Sequence, residues 1–255
     1  MSEIQNLNEL ALKKYKLFKE QKVKFIARSV MAGVYLGFAI IISYCLGSLF
    51  YSYGMKLGAS LAPALTFGVG LVAICLLGGE LFTGNCLFIS IPVFCKKLKI
   101  KDALNFGLVN FITNSIGVIF ICLFFVNTNV FNDFLHPYLE NLTMNKLSVD
   151  LVHVFLRAIL CNWIVCIAGY SNYKINGDFG NIFLIFFFVF MFVLPGFEHS
   201  VANVGIFSIS QLAMGAANIV DVFIHTLICV VGNVIGGSLM GLLLYFMDFN
   251  GKGEQ

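Results

Sequence analysis

Charged residues are scarce in this chain. Only 11% of its 255 residues are Asp, Glu, Lys or Arg, whereas about 25% is usual for soluble globular domains. Apolar residues make up 59% and gather into runs long enough to cross a hydrocarbon layer, for which a helix needs about 20 residues. This composition excludes an ordinary soluble fold and indicates a polytopic membrane protein.

The sequence also lacks the motifs of enzymes and metal sites. Its eight cysteines form no Cys-x-x-Cys pair, and most lie in apolar runs, where we expect them to be small core hydrophobes. No HExxH, GxSxG or dinucleotide-binding fingerprint occurs. No nucleophile with a base, and no carboxylate pair placed for acid–base work, is evident. We therefore expect no enzymatic activity, no cofactor and no metal.

Six apolar segments are predicted to be transmembrane helices, giving an all-α membrane fold: residues 25–49, 61–77, 104–126, 149–169, 182–196 and 222–247. With the N-terminus inside, thirteen lysines and arginines fall on the cytoplasmic side, and only Lys56 and Lys146 fall outside. This asymmetry predicts a multi-pass protein of the cytoplasmic (inner) membrane with both termini in the cytoplasm. The basic flanks indicate contact with the lipid bilayer and do not suggest a nucleic-acid partner.

The first 24 residues are predicted to form a cytoplasmic amphipathic helix. Apolar residues recur there at helical spacing between lysines, as Ile4, Leu7, Ala11 and Phe18 do, which is typical of a helix lying on a membrane surface. Because this stretch is polar and rich in lysine, we expect no cleavable signal peptide. A surface anchor is the favoured role, and a gate is the alternative.

Polar residues inside the apolar runs repeat between the two halves of the chain. Glu80 precedes Asn85 by five residues, and Glu198 precedes Asn203 by five. A further asparagine follows 29 and 30 residues later, and these residues are Asn114 and Asn233. A repeat of three spans must begin its second copy from the opposite face. The pattern therefore predicts two inverted three-helix halves with a substrate site near the bilayer midplane.

The second and fifth spans are predicted to be broken. Residues 78–85 place three glycines, a carboxylate, a hydroxyl and an amide at mid-membrane depth, and Pro195-Gly196 interrupts the fifth span. Backbone groups freed from a helix at this depth must be buried by protein or line a wet cavity. Half-helices whose N-termini meet there favour an anion, because the positive ends of their dipoles point inward.

Three stretches of this sequence resemble the formate/nitrite transporter family: ELFTGN at 80–85, RAILCNW at 157–163 and FEHSVAN at 197–203. The resemblance extends from about Lys24 to Met247 and is greatest to the bacterial hydrosulfide channel branch. It implies an aquaporin-like protomer with one pore, assembled into a homopentamer. Residues 25–247 would then form the channel domain, and residues 248–255 a cytoplasmic tail.

The resemblance also implies roles for individual residues. Thr83, Asn162 and His199 would lie near the pore centre, and Lys146 would concentrate anions at the outer approach. The implied hydrophobic constrictions are Leu71, Leu81 and Phe192 toward the cytoplasm, and Phe67, Phe82 and Val165 toward the outside.

His199 is also the one histidine that the span assignment itself places at mid-membrane, since His153 and His225 lie near span entrances. An ionisable group at that depth is a functional candidate, with a hydrogen-bonded core histidine as the alternative. Glu80 and Glu198 are expected to support the broken helices by accepting hydrogen bonds from freed backbone amides. Four asparagines are expected to support the same loops: Asn85, Asn203, Asn114 and Asn233.

Together these features predict a channel or transporter for small monovalent anions such as hydrosulfide, formate or nitrite. The anion would pass hydrophobic constrictions around a central histidine, either as the ion or as the neutral acid after protonation. An aquaporin-like channel for small neutral solutes is the alternative, although no NPA triplet occurs in either break. The sequence leaves open which anion is physiological, whether transport is proton-coupled, and whether the N-terminal segment gates it.

Overall fold

Helices account for most of the chain. The computed structural model describes residues 2–130, 132–175, 177–215 and 217–248. Within these residues the helices are α1 Glu3–Glu20, α2 Lys22–Ser52, α3 Lys56–Thr66, α4 Gly68–Leu77, α5 Phe82–Phe94, α6 Ile100–Val126, α7 Asn132–Leu147, α8 Leu151–Lys174, α9 Asp178–Val193, α10 Ser200–Met214 and α11 Ile219–Met247. The expected all-α fold class is therefore confirmed.

Five helical segments of the described chain have the length and hydropathy of a membrane span, whereas the sequence predicted six. They are Lys22–Ser52, Lys56–Leu77, Ile100–Val126, Leu151–Lys174 and Ile219–Met247. The difference lies at the predicted span 182–196, because α9 ends after 16 residues and α10 is a separate helix of 15 residues. A sixth crossing therefore requires α9 and α10 to act together.

Two helix pairs pack with their backbones in close approach, one pair in each half of the chain. A Cβ atom at Gly117 of α6 would lie 2.1 Å from the Val30 carbonyl oxygen of α2, and one at Gly236 of α11 would lie 2.3 Å from the Ile159 carbonyl oxygen of α8. Any side chain at either glycine would push the helices apart. These glycines each follow a buried asparagine, Asn114 or Asn233, by three residues.

The helical backbone is interrupted at two corresponding places. Between α4 and α5 the chain turns at Gly78, with φ of 86°, and between α9 and α10 it turns at Gly196, with φ of 74°. This left-handed conformation suits glycine, because a Cβ atom would clash with the backbone. Each glycine lies two residues before the glutamate of its half, Glu80 or Glu198.

The apolar face of helix α1, which the sequence predicted to lie on a membrane surface, packs on the bundle. Leu7 and Ala11 are fully buried in an apolar cluster with α5, and the ring of Phe18 contacts Phe25 and Phe106. An amphipathic face can be covered by lipid or by protein, and here the exposed end of the bundle supplies apolar side chains.

Both ends of the described chain meet at this face of the molecule. The Ile4 amide donates to the Asp248 carboxylate over 2.8 Å. The Ser2 hydroxyl and the Ile4 amide hold the pKa of Asp248 below its ordinary value. The Glu3 carboxylate accepts from the Tyr170 hydroxyl and lies 2.7 Å from the Lys174 ammonium. Of the predicted tail 248–255, only Asp248 belongs to the described residues.

Helix α7 was not predicted from the sequence, which placed residues 127–148 in an outer loop. Leu135, Tyr138 and Leu139 are buried, and the Tyr138 hydroxyl donates to the Ala59 carbonyl oxygen over 3.1 Å. The helix thus covers one end of the bundle, as α1 covers the end where the termini meet. Each of these helices brings a lysine to the bundle, Lys14 on α1 and Lys146 on α7.

Candidate functional site

The N-termini of α5 and α10 meet at a threonine–histidine pair. The Thr83 hydroxyl oxygen lies 3.0 Å from the Nε2 atom of His199, and both side chains are buried. His199 is the N-cap residue of α10, and its Nδ1 atom accepts a hydrogen bond from the Ala202 amide over 3.1 Å. Since Nδ1 is the acceptor, the neutral ring carries its proton on Nε2. That N–H therefore points toward Thr83.

Two cavities flank this region. The Lys146 cavity has a volume of about 590 Å³ and includes Lys146, Tyr138, Phe67, Phe192 and His199 in its lining. The Lys14 cavity has a volume of about 580 Å³ and is lined by these residues among others: Lys14, Glu80, Leu71, Leu81 and Val165. Each cavity thus combines basic residues with an apolar inner end: Lys56 and Lys146 line the first, and the second is lined by Lys13, Lys14, Lys16, Lys24 and Arg28.

An apolar cluster includes the inner ends of both cavities and all six residues that the resemblance assigned to constrictions. Each is at most 6% exposed: Phe67, Leu71, Leu81, Phe82, Val165 and Phe192. The rings of Phe67 and Phe192 meet edge to face with centroids 6.3 Å apart, and Phe192 stacks on His199 at 6.0 Å. The residues around the Thr83–His199 pair are therefore largely apolar, although Asn203 lines the Lys146 cavity and Asn85 lines the Lys14 cavity.

Two of these residues line the opposite cavity from the one expected. Phe192 was assigned with Leu71 and Leu81 but lines the Lys146 cavity, and Val165 was assigned with Phe67 but lines the Lys14 cavity. Helix length explains both placements. Each residue is the fifteenth of its helix, and 14 steps of about 1.5 Å carry it roughly 21 Å along the helix axis from the first residue.

Phe82 and Asn162, like Thr83, line neither cavity. The Phe82 ring lies edge to face on Phe111 of α6, with centroids 5.3 Å apart. The Asn162 amide donates to the Asn233 carbonyl oxygen over 2.5 Å, and its own Oδ1 atom is buried without a hydrogen-bond partner among the described residues. The structure thus places these two side chains against α6 and α11.

Asn114 binds the first broken loop to α2. Its amide nitrogen donates to the carbonyl oxygens of Ser29 at 2.6 Å and Glu80 at 3.0 Å, and its oxygen accepts from the Phe82 amide at 2.8 Å. The bonds to Glu80 and Phe82 satisfy backbone groups that the interruption removes from the helix.

Asn233 binds the second broken loop to α8 in the same way. It donates to the carbonyl oxygens of Ala158 at 2.8 Å and Glu198 at 2.9 Å, and it accepts from the Ser200 amide at 2.9 Å. The two halves of the chain therefore share one hydrogen-bonding scheme.

The two glutamates are paired with lysines, not with backbone amides as the sequence analysis expected. The Glu80 carboxylate lies 2.6 Å from the Lys14 ammonium, and its other donor is Asn85 at 3.0 Å. The Glu198 carboxylate lies 2.8 Å from the Lys146 ammonium and accepts from Asn203 at 2.7 Å. Lys14 lies on α1 and Lys146 lies on α7, and the packing of these two helices was not predicted from the sequence.

Sequence reasoning also missed two buried residues beside the carboxylates. Asn110 accepts from Asn85 at 2.7 Å and donates to the Glu80 carbonyl oxygen at 2.7 Å. His225 is 2% exposed, and its Nε2 atom lies 3.9 Å from the Glu198 carboxylate. The repeat gave no signal for either position, because the residue that corresponds to Asn110 is Cys229 and the residue that corresponds to His225 is Phe106. Among the described residues, no group of three His, Cys, Asp or Glu is placed to hold a metal.

The family model for formate/nitrite transporters matches residues 2–247. The chain belongs to the formate/nitrite transporter family. It is 32% identical over 253 residues to the uncharacterized transporter YwcJ of Bacillus subtilis, covering 95% of this chain and 96% of the relative. It is 30% identical over 251 residues to a probable formate transporter of Methanothermobacter thermautotrophicus, covering 89% of each chain.

Two solved structures have the same fold. An FNT family ion channel superposes with a TM-score of 0.86 at 24% identity, covering 96% of this chain and 98% of that one. A pentameric formate channel with formate bound superposes with a TM-score of 0.76 at 23% identity, covering 90% and 98%. As a member of the formate/nitrite transporter family, the protein functions in membrane transport of anions and is not an enzyme.

Proposed function

We propose that this family member conducts small monovalent anions of the formate, nitrite and hydrosulfide type between the Lys14 and Lys146 cavities. The observation that carries the proposal is the apolar cluster between two lysine-bearing cavities, interrupted by one hydroxyl and one ring N–H. An apolar passage offers a hydrated cation little to replace its water. A small anion finds two donors and the N-terminal ends of α5 and α10.

The two donors lower the free-energy cost of moving the anion out of water without binding it tightly. An anion moved into an apolar passage loses its hydration shell, which is costly unless hydrogen bonds replace it. The Nε2–H group of His199 and the Thr83 hydroxyl replace part of that shell once they release each other. Passage as the neutral acid, after a proton transfer near His199, lowers the cost further. Either route keeps binding weak enough for release.

We propose that the chain crosses the membrane six times, with α3–α5 forming the broken second crossing and α9–α10 the broken fifth. The contact between Ile4 and Asp248 supports this count. Two chain ends on one face require an even number of crossings, whereas five long helices alone would leave the ends on opposite faces. The lysine-rich N-terminal segment places that face in the cytoplasm, so the Lys146 cavity opens outward.

We propose a homopentamer with one pathway per protomer, as the solved pentameric formate channel suggests by its likeness in fold. Many large apolar side chains lie on the surface of the single chain, among them Phe38, Phe120, Phe124 and Phe223, as a chain facing lipid or other protomers requires. Native mass spectrometry in mild detergent tests the oligomer. A monomer or a dimer at micromolar protein would contradict it.

Stopped-flow uptake into proteoliposomes tests the function directly. Formate, nitrite, hydrosulfide and chloride are each presented with and without a membrane potential, and glycerol swelling is measured on the same vesicles. We expect uptake of at least one monovalent weak-acid anion well above protein-free vesicles, and no glycerol swelling. Glycerol permeation without anion uptake would favour the neutral-solute channel instead. Dependence of the rate on the potential separates movement of the ion from movement of the neutral acid.

A further inference from the structure

His225 is buried beside the Lys146 cavity without a hydrogen bond. Its side chain is 2% exposed, and neither ring nitrogen has a partner among the described residues. A neutral imidazole has one donor and one acceptor, and leaving them unpaired in the interior costs about 1–3 kcal/mol per group. An unsatisfied polar ring in a core position calls for an explanation.

The charged neighbours of His225 are Glu198 and Lys146. Its Nε2 atom lies 3.9 Å from Oε2 of Glu198, the same oxygen that lies 2.8 Å from the Lys146 ammonium. From α10 it meets the edge of the apolar Phe207 ring, at a centroid distance of 5.4 Å. The remaining titratable groups around Glu198 are the thiols of Cys161 on α8 and Cys229 on α11, and Tyr44 on α2 interacts with it electrostatically. Asp221, one turn before His225 on α11, is exposed.

The other half of the inverted repeat has no titratable group at this position. His225 lies eight residues before Asn233, and Phe106 lies eight residues before Asn114, so the two positions correspond. Phe106 is fully buried in an aromatic cluster with Phe18 and Phe25. The fold therefore accepts an apolar ring at this point of the scaffold, and packing alone does not require histidine.

We propose that His225 is a positioning residue for Lys146. When protonated, it pairs with Glu198 and releases the Lys146 ammonium to anions in the Lys146 cavity. The three side chains carry no net charge while His225 is neutral and one positive charge once it is protonated. A shortening of the Nε2–Oε2 distance by about 1 Å completes the hydrogen bond. This inference rests on the proposed anion pathway, and it makes anion capture from that cavity greater in acid.

Two measurements test the proposal, the first of which is independent of transport. Protein with ¹⁵N-labelled histidine is reconstituted in lipid nanodiscs, and the ring signals are followed as the pH is lowered from about 8 to about 5. The His225 signal is assigned by its loss in His225→Phe. We expect that ring to gain its second proton within this range, and we expect Glu198→Gln to prevent it. A His225 ring that stays neutral at pH 5, or that titrates identically in Glu198→Gln, would overturn the proposal.

The second measurement is the pH profile of formate uptake with equal pH on both sides of the vesicle. The rate for His225→Phe, divided by the parent rate, should be near one at pH 8 and fall several-fold at pH 5. His225→Gln should behave as His225→Phe, and the exposed-site control His153→Gln should give a ratio near one throughout. A pH-independent ratio for both His225 variants would contradict the proposal. A parent protein that takes up no anion would defeat the proposed function, and the ring titration would then still decide the role of His225.

Discussion

The half of the chain that contains Glu80 and its partner Lys14 (the Lys14 half) and the half that contains Glu198 and its partner Lys146 (the Lys146 half) hold their interrupted helices with the same bonds. The two halves surround their carboxylates with different residues. Where Asn110 donates to the Glu80 carbonyl oxygen at 2.7 Å, the Cys229 thiol donates to the Glu198 carbonyl oxygen at 3.2 Å. Where the first half has Phe106, the second has His225. The asparagines that form hydrogen bonds to the backbone of the broken loops are the same in both halves. The residues that set local charge and polarity differ.

The two lysine–glutamate pairs also differ in burial. The Lys14 and Glu80 side chains are 21% and 6% exposed, and those of Lys146 and Glu198 are 13% and 1% exposed. Helix α1 is held at its start by polar contacts to Tyr170, Lys174 and Asp248. The Lys14 pair is therefore more exposed to solvent than the Lys146 pair.

The largest effect should come from removing the shared scheme. Asn114→Ala and Asn233→Ala each remove three buried hydrogen bonds to the backbone and leave one amide, that of Phe82 or of Ser200, without this partner, at about 1–3 kcal/mol for each unsatisfied group. The Glu80 carbonyl oxygen keeps its bond from Asn110, and the Glu198 carbonyl oxygen keeps its bond from the Cys229 thiol. We expect each variant to lose several kcal/mol and to yield little folded protein in detergent. Thermal unfolding checks this, with the exposed Asn127→Ala on α6 as the control. If one asparagine is dispensable and the other is not, the two halves are not equivalent.

The second-largest loss of stability should differ between the two halves of the chain. Lys146→Met and Lys14→Met each leave a buried carboxylate without its cation, and breaking a fully buried pair costs about 3–5 kcal/mol. Because the Lys146 pair is less exposed, Lys146→Met should lower the melting temperature more than Lys14→Met does. Adding Glu198→Gln should restore most of the loss in Lys146→Met. Equal losses in both lysine variants, or no rescue, would contradict the difference in burial.

A smaller effect is expected when one half is made to copy the other. Cys229→Asn gives the Lys146 half the residue found at Asn110, and it lets Asn203 and the Glu198 carbonyl oxygen form amide hydrogen bonds in place of weaker contacts to sulfur. We expect the melting temperature to stay the same or to rise slightly. Cys161→Asn, at an equally buried position, should lower it, because no repeat partner carries an amide there. A strongly destabilised Cys229→Asn variant would show that the two sites differ in shape.

The smallest effect concerns the attachment of α1. The pKa of Asp248 is held below its ordinary value by the Ser2 hydroxyl and the Ile4 amide, so its contribution to docking is present at neutral pH and is lost as the pH falls through that lowered pKa. Hydrogen exchange at the Ile4 amide should therefore be faster in acid than at pH 7, once corrected for intrinsic rates. Asp248→Asn should be fast at both pH values. Unchanged protection in acid would assign the docking of α1 to its apolar face alone.

Much of the scaffold was predictable from the sequence, because its residues occur at equal spacing in both halves. The five-residue interval from Glu80 to Asn85, and from Glu198 to Asn203, placed both breaks, and the later Asn114 and Asn233 lie where the structure binds those loops. A polar residue in an apolar run must find a partner, so its position carries structural information even without an alignment.

The lysine pairing was not predictable by the same reasoning. Lys14 reaches Glu80 across 66 residues, and Lys146 reaches Glu198 across 52, through amphipathic helices whose apolar faces suit lipid and protein equally. His225 was placed near a span entrance because the predicted span began at residue 222, and its depth depends on how α11 packs beside the second break. Which cavity Phe192 and Val165 line depends on the residues at which α9 and α8 begin. Composition locates the start of a helix only to within about one turn.

The pH profile of anion uptake in His199→Phe and His199→Asn tests the central claim, that the His199 ring N–H receives the anion between the two cavities. Phenylalanine keeps the bulk beside Phe192 but removes the donor, whereas asparagine keeps a neutral donor and can still cap α10. With each variant eluting like the parent on gel filtration, we expect His199→Phe to abolish formate and hydrosulfide uptake. His199→Asn should retain part of it with a weaker dependence on pH. Uptake by His199→Phe at the parent rate from about pH 5 to pH 8 would contradict the account.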